Sequence, residues 1–430
     1  MTDAPTPASA TGRAIKLRPR TRLAVAAGRF VARVSRVVHF GTGSVIGGRV
    51  SLLIDKNLLS ELTASRDVVI VSATNGKTTT TKLLSSALSS DRPVVSNWLG
   101  ANMTPGIVAA LAAANATDTA VLEVDERWVD SVLRATNANT VVLLNLSRDQ
   151  LDRTQEVRKL AEQWRVALEA TPPQTVIANA DDPLVAWAAL AAPNVVWVGT
   201  GQDWTADAAG CPACSGRIDF ADEGWACSDC DLRRPSVDVA INDGVIAIEG
   251  KTIAGELALP GRVNRVNAAF ALAAASAMGA DLDQAFDGLD NVREVAGRYR
   301  IAQLGDSRIR LLLAKNPAGW HEALELLEGP STPLVVAINA RIADGHDPSW
   351  LWDVAYERIG QRFVVAIGER RHDLAVRFRY GNINHVVADD LESAIELVRQ
   401  SPTYDPTLPI DIASNYTAFQ DHLEYVGGVL

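Results

Sequence analysis

Short apolar, β-branched runs alternate with helix-length amphipathic stretches through most of the chain. From residue 67 the apolar runs fall at Val68–Val71, Ala120–Val124, Val141–Leu146, Thr175–Ala178 and Val195–Val198, with helical stretches such as Gly106–Ala114 and Val157–Ala170 between them. Alternating strand and helix predicts a parallel sheet covered on both faces, and ligands on such sheets bind at the carboxyl ends of the strands. The rhythm restarts after Gly297-Arg298. Strands are predicted at Ile309–Leu313, Leu334–Ile338, Phe363–Ile367, His385–Val387 and Leu408–Ile412, and helices at Gly319–Leu327, Ser349–Ile359, Asp373–Phe378 and Leu391–Val398. That pattern is a second, smaller α/β domain. Ahead of the first sheet, Arg20–Val38 sets basic residues beside Leu23, Val25, Phe30, Val34 and Val37, as on a helix with one apolar face. Such a helix either meets anionic lipid or a lipid-linked substrate, or packs on the next domain with its basic side in solvent. His39–Gly48 is glycine-rich and reads as a loop, near a ligand or as a plain linker.

The polar residues that close the strands carry the candidate chemistry. Val68–Val71 leads into Ala73, Thr74, Asn75, Gly76, Lys77, Thr78 and Thr79, and then into the helix-like KLLSSAL. Strand, tight turn and helix with Gly-Lys-Thr at the bend form a phosphate cradle. Backbone N–H groups and the helix N-terminus meet phosphate oxygens, Lys77 supplies a positive charge, and the Thr78 hydroxyl reaches Mg²⁺. The general pattern also has a glycine five residues before Gly76, where this chain has Val71. The neighbouring strands close on Glu123, Asp125 and Glu126, and on Asn145, Arg148, Asp149 and Asp152. Glu123 is the first candidate for Mg²⁺, which takes oxygen ligands from carboxylates, phosphate and water. Its alternative is a strand-end carboxylate facing solvent. Asn264 and Asn267 lie one turn apart in the stretch Ala258–Ala275, where two amides on a face can read a base or ribose, or bridge locally. In the second domain, Lys315-Asn316-Pro317 and Asp344–Trp350 follow strands, and Asp347 is placed to cap a helix starting near Ser349. Trp350 and Trp352 read as core or interface residues.

Cys211, Cys214, Cys227 and Cys230 are the four cysteines of the chain, spaced C-x2-C-x12-C-x2-C. Two such knuckles predict tetrahedral thiolate ligation of Zn²⁺ in a zinc ribbon, a closed and therefore structural site. Two disulfides or free thiols are the alternative, and a reducing cytosol disfavours the disulfides. If zinc takes every thiol, no cysteine nucleophile remains, and any thiol-dependent step belongs to another chain.

Composition adds bounds. The 430 residues leave room for about two to four domains, and 47% apolar with 21% charged residues marks a folded chain. A net charge of −10 argues against a general nucleic-acid binder. No apolar run approaches the ~20 residues of a membrane span. Residues 1–20 are rich in Pro, Ala, Thr and Arg and lack an apolar signal core. They read as a disordered tail on a cytoplasmic protein, one at the inner face of the plasma membrane if the basic helix meets lipid. No internal repeat marks a solenoid.

These motifs together resemble the Mur ligase superfamily, whose members use ATP to join an amine to a carboxylate. The resemblance rests on ATNGKTT at Ala73–Thr79, LEVDE at Leu122–Glu126, NLSRDQLDR at Asn145–Arg153, NADDP at Asn179–Pro183, LPGRVNRVNAAFALAAA at Leu259–Ala275, and the Gly297-Arg298 pair. Within the superfamily the chain is most similar to the ligase-like subunits of lipid II isoglutaminyl synthases. The four-cysteine insertion, LAKNPAGW at Leu313–Trp320 and ADGHDPSWLWD at Ala343–Asp353 carry that similarity. Three residues depart from the family pattern: Ala73 for a P-loop glycine, and Gln150 and Val263 where histidines are common.

The resemblance implies an α/β fold with a central P-loop ATPase domain at 51–298, a four-cysteine zinc ribbon inserted at 205–235, and a smaller Rossmann-like C-terminal domain at 299–430. Residues 1–50 would be the tail and basic helix. It implies ATP, Mg²⁺ and structural Zn²⁺ as cofactors, and phosphorylation of the α-carboxylate of D-glutamate in the lipid II stem peptide, followed by attack of ammonia. The ammonia would come from a GatD-type glutaminase in a heterodimer, contacted by the C-terminal domain. Thr74, Asn75, Gly76, Lys77, Thr78, Thr79, Asn264, Asn267 and Arg298 would hold ATP, with Lys77 also catalytic and Thr78 and Glu123 on Mg²⁺. Asp347, or else Asp344, would orient the partner's histidine. A single-chain amino-acid ligase and a catalytically silent nucleotide-binding scaffold are the competing expectations.

Overall fold

The computed structural model of the chain describes residues 17–37, 44–97, 101–114, 117–148, 157–201, 204–222, 224–293, 299–327 and 332–427. Two compact units emerge. The first comprises Met1–Leu146, Arg158–Ala258 and Asn264–Val292, and the second Ser147–Val157, Leu259–Val263 and Arg293–Leu430.

The first unit is built on a sheet whose core strand is β1 (Asp67–Ser72), flanked by β2 (Val94–Ser96), β3 (Thr119–Glu123), β4 (Thr140–Leu143), β5 (Thr175–Asn179) and β6 (Val195–Gly199). These run parallel in the order β6-β5-β4-β1-β3-β2. Val68, Val69, Ile70 and Val71 are fully buried, so the strand reads as a continuous apolar run rather than an alternating one. A hairpin, β7 (Ile218–Ala221) and β8 (Gly224–Cys227), forms the cysteine ribbon. Three short strands then extend the main sheet beyond β6. They are β9 (Val239–Asn242), parallel to β6, and β10 (Val245–Ile248) and β11 (Lys251–Ile253), added antiparallel. The hydrophobic pattern does not predict them; they are three or four residues long, and among their residues only Val239, Ile246, Ile248 and Ile253 are buried.

Residues 19–37 and 44–54 are packed helices. Helix α1 (Pro19–Val37) packs on helix α2 (Ser44–Ile54), and α2 on the helix Thr104–Ala113. One expectation for this region is corrected, and one of two alternatives is set aside. The stretch from Ser44 to Gly48 is helical rather than a loop, since it opens α2; His39 to Gly43 lie outside the described residues. The packed face of α1 is also not its large apolar stripe. Thr21, Ala24, Val25 and Gly28 are buried, whereas Leu23, Phe30 and Val34 are exposed. Close approach explains this. A Cβ on Gly28 would lie 2.7 Å from the Gly47 carbonyl oxygen, and one on Gly47 2.6 Å from that of Gly28, so only glycine lets the two backbones meet.

The second unit holds β12 (Tyr299–Leu304), β13 (Ser307–Leu313), β14 (Leu334–Ala337), β15 (Val364–Ile367), β16 (His385–Val387) and β17 (Ile410–Ser414) in the order β12-β13-β17-β14-β15-β16. All neighbours are parallel except the β12–β13 hairpin. Arg310 and Asp411 face each other across β13 and β17, both buried, with Nε–Oδ1 at 2.6 Å and Nη2–Oδ2 at 2.9 Å. Trp320, Tyr356 and Phe378 stack edge to face in the core, with centroids 5.5 and 5.1 Å apart. The helix expected over Ser349–Ile359 is two 3-10 turns, Ser349–Asp353 and Tyr356–Ile359. Arg377 Nη2 takes the Val354 carbonyl at 2.7 Å, an acceptor that a continuous helix would use internally. Trp350 is core, while Trp352 is exposed against the Tyr380 ring, 5.4 Å away.

Candidate active site

The turn after β1 is assembled from four neighbouring elements of the first unit. Gly76 is the N-cap of the helix Lys77–Leu88 and has φ 85°, a left-handed conformation that suits glycine. Ala73 is buried and is absent from the residues with positive φ, so the turn does not need a glycine there. Asn145, just past β4, pins the turn. Its Oδ1 accepts from Asn75 N at 2.9 Å, its Nδ2 donates to Asn75 O at 3.0 Å, and its carbonyl accepts from Thr74 N at 3.0 Å. The register that pairs β1 with β3 sets Val71 beside Glu123.

Lys77 is buried at the first position of its helix. Its Nζ donates to the Ala73 carbonyl, to Thr74 O at 3.2 Å and to Glu126 Oε2 at 3.0 Å. A nearly dry ammonium–carboxylate pair of this kind is a charge waiting for an exchange of partners: phosphate oxygens can replace the carboxylate. Thr74, Thr78 and Thr79 are buried alongside. Glu123 is buried at the end of β3, with Asn102 Nδ2 3.3 Å from its Oε1, and the Asn97 amide bonds both to its backbone N–H and to its carbonyl. A buried carboxylate beside a threonine-rich turn is an all-oxygen donor set, which fits a hard cation such as Mg²⁺.

Asn267 comes from the helix Arg262–Ala277 and lies under the turn. Its Oδ1 accepts from Thr80 Oγ1 at 3.2 Å, and a Cβ on Gly76 would lie 2.6 Å from that same oxygen. Asn264 stands one turn earlier on the same helix and is half-buried. Arg298 lies outside the described residues. Glu126 and Asn145 stand among the strand-closing polar residues that the sequence singles out, though without a specific role there. Asn102 is not among them, since it meets Glu123 only through the fold.

The cysteines also converge. The four Sγ atoms lie within 4.8 Å of one another, with Cys211–Cys230 at 3.7 Å and Cys214–Cys227 at 3.5 Å, and no disulfide joins them. Four sulfurs at ~2.3 Å from one tetrahedral ion would stand about 3.8 Å apart, so the set fits zinc. The amides of Gly216 and Asp229 point at Cys214 Sγ and Cys227 Sγ, each at 3.4 Å. The Asp229 N–H is the main influence holding the Cys227 thiol down at about 7. Trp225 Nε1 donates to Ala180 O at 2.9 Å and fastens the ribbon to the sheet.

The second unit holds both aspartates. Asp344 is buried, with Oδ1 accepting from Thr417 N at 2.8 Å and Oδ2 from the Thr417 hydroxyl and from Arg341 N at 3.2 Å. It caps the helix Tyr416–Tyr425. Asp347 is exposed and accepts from Ser349 N at 2.8 Å, and that amide together with the Ser349 hydroxyl holds its carboxyl below the usual range. Among the described residues, no helix is long and apolar enough to cross a membrane.

Residues 71–275 match the family model described as Mur ligase middle domain, and residues 313–419 the one described as MurT ligase C-terminal. The chain is 31% identical over 392 residues to the lipid II isoglutaminyl synthase (glutamine-hydrolyzing) subunit MurT of Streptococcus pneumoniae, covering 84% of this chain and 87% of that one. It is 26% identical over 411 residues to the subunit of the same name in Staphylococcus aureus, covering 89% and 92%. Among solved structures it is similar to a pseudomurein peptide ligase type C from Methanothermus fervidus (TM-score 0.67, 19% identity, 86% of this chain and 80% of that one). It is also similar to MurF from Acinetobacter baumannii (TM-score 0.63, 17% identity, 88% and 79%). At such identities these structures speak to the fold, which is that of the Mur ligases.

Proposed function

The chain belongs to the MurT family, and from that premise we propose that it is the ATP-dependent ligase subunit of a lipid II isoglutaminyl synthase, acting in peptidoglycan synthesis. The observation that carries this reading is the buried Lys77–Glu126 pair in a β1–turn–helix cradle with Glu123 in register on the next strand. The acceptor is the α-carboxylate of D-glutamate in the lipid II stem peptide. In the first step a carboxylate oxygen attacks the γ-phosphorus of ATP, the bond to the β–γ bridging oxygen breaks, and ADP leaves. In the second, ammonia attacks the acyl carbon, phosphate departs with the C–O electron pair, and the nitrogen loses a proton to give the amide of D-isoglutamine.

Carboxylate oxygen is a poor leaving group, and the first step converts it into phosphate. The work of the protein is to position the phosphoryl group and neutralise its charge. Lys77 exchanges Glu126 for phosphate oxygens, and the amides of Asn75 to Thr79 cradle them. Asn267 and Asn264 hold the nucleotide, with Arg298. Thr78 and Glu123 would hold Mg²⁺, which when bound would supply positive charge against the developing negative charge of the phosphoryl group. Zn²⁺ in the Cys211, Cys214, Cys227 and Cys230 cluster is structural. With those thiols engaged, a glutaminase subunit of the GatD type makes the ammonia, and Asp347 orients the partner's histidine. Asp347 is favoured over Asp344 because it is exposed to a partner, whereas Asp344 is buried with both carboxylate oxygens bonded within the fold. The protein then works in the cytoplasm.

Lys77→Ala tests the reading. With lipid II in detergent, ATP and free ammonia, the variant should lose at least a thousandfold in amidation. An unchanged rate would remove the catalytic assignment, and amidation by an amino acid in place of ammonia would move the chain to the amino-acid ligases.

A further inference from the structure

The outer face of the α1–α2 hairpin has no role in the chemistry above, yet it is built like a surface for something anionic. Residues 1–54 hold nine of the Lys and Arg residues and a single acid, Asp3, in a chain whose net charge is −10. The charge is therefore segregated, with the remainder of the chain strongly acidic. On α1, Leu23 (62% exposed), Phe30 (67%) and Val34 (44%) face solvent. At 3.6 residues per turn they fall within about 40° of one another on the helix, turned about 120° away from the packed stripe of Ala24 and Gly28. Arg22 and Arg33 run beside them as exposed cations, with Arg29 between them donating its Nε to the Ala112 carbonyl at 2.9 Å. Helix α2 repeats the combination with Ile46, Arg49 and Leu53, the last 81% exposed.

Close glycine packing turns the bulky apolar side chains outward, which costs free energy in water unless they are covered. A large apolar stripe bordered by arginines is the arrangement of a helix lying in the headgroup region of a bilayer. A cleft of about 280 Å³ under the first turns of α1 has the same sign. Arg22, Arg29 and Arg66 line it among apolar residues, and among the described residues no acidic side chain lies in its wall. The cleft has room for a lipid phosphate.

We infer that the outer face of the α1–α2 hairpin docks this protein on an anionic membrane surface, with Leu23, Phe30 and Val34 in the acyl boundary and the arginines among the phosphates. The inference gains its purpose from the lipid-linked acceptor proposed above, since docking would hold the ligase on the surface that carries its substrate. The charge argues against a second copy as the occupant, because two such cationic faces repel.

The test is co-sedimentation of the full chain with vesicles of phosphatidylcholine, with and without phosphatidylglycerol, in the absence of nucleotide and acceptor. Binding to the anionic vesicles and not to the neutral ones is expected. Arg22→Gln should weaken it about fivefold, the effect of one cation near an anionic surface. Phe30→Asp, and independently Val34→Asp, should weaken it more than tenfold without lowering the melting temperature, since both residues face solvent. Failure of the wild type to bind, or binding that Phe30→Asp and Val34→Asp leave unchanged, would overturn the inference. So would a dimer that Phe30→Asp converts to monomer in sedimentation. Amidation of lipid II in detergent reads the ligase separately, so loss of either property leaves the other measurable.

Discussion

Gly76→Ala puts the architecture of the phosphate turn to a quantitative test. The residue has φ 85°, and an L side chain in that region costs ~1–2 kcal/mol. The new methyl would also lie 2.6 Å from Asn267 Oδ1. Asn267 is buried and bonded to Thr80, so it cannot turn aside without giving up that hydrogen bond, a further ~1 kcal/mol. The sum, about 2–3 kcal/mol, should lower the Tm of the unit by about 5–10 °C. It should also weaken nucleotide binding at least tenfold, because the displaced turn no longer aims its N–H groups. Differential scanning fluorimetry and calorimetric titration with a non-hydrolysable ATP analogue read the two effects. The double variant Gly76→Ala/Asn267→Ala separates the causes. The collision disappears in it, so it should lose about 1 kcal/mol less than the two single changes together. Strict additivity, or a Gly76→Ala protein with unaltered Tm and affinity, would refute the account of Asn267 as the support of the turn.

Three further outcomes are expected. The purified chain should carry one zinc per chain, released by a thiol-modifying mercurial and measured with a chromogenic chelator; Cys214→Ser should lower the metal content and the Tm, and a metal-free protein of undiminished stability would contradict the ribbon assignment. Asp411→Ala, which strands the buried Arg310 guanidinium, should cost ~3–5 kcal/mol in denaturant unfolding, whereas the apolar pair Arg310→Met/Asp411→Leu should recover most of it. Burial holds the His422 imidazole down at about 4, against the ordinary value of 6.5 and despite the neighbouring Asp421. The unfolded chain therefore binds more protons between those values. Stability should rise with pH through about 4 to 6.5 and fall on acidification, by up to ~3 kcal/mol, and His422→Gln should flatten that part of the profile.

Much of this molecule was legible because its signals are local. Val68–Val71 followed by Asn75-Gly76-Lys77 specifies a strand, a turn and a helix within a dozen residues, and the cysteine spacing specifies two knuckles. Features set by contacts between distant segments were not legible. Hydropathy ranks Leu23 and Phe30 above Ala24 and Gly28, and so leaves the packed face of α1 undecided, which steric fit against Gly47 settles. The run Trp350, Leu351, Val354, Ile359 has helical spacing, yet a guanidinium 23 residues further on takes the Val354 carbonyl and the helix breaks. Glu126 was visible as one acid among several, but its pairing with Lys77 depends on the fold of the intervening strand and helix.

The brace beneath Gly76 has a practical meaning for anyone cutting this gene into pieces. Asn267 joins the turn from almost two hundred positions downstream. A fragment that stops after the cysteine hairpin would keep each letter of the nucleotide motif and would still be expected to leave ATP unbound, because the recipe for the pocket is written in two distant places.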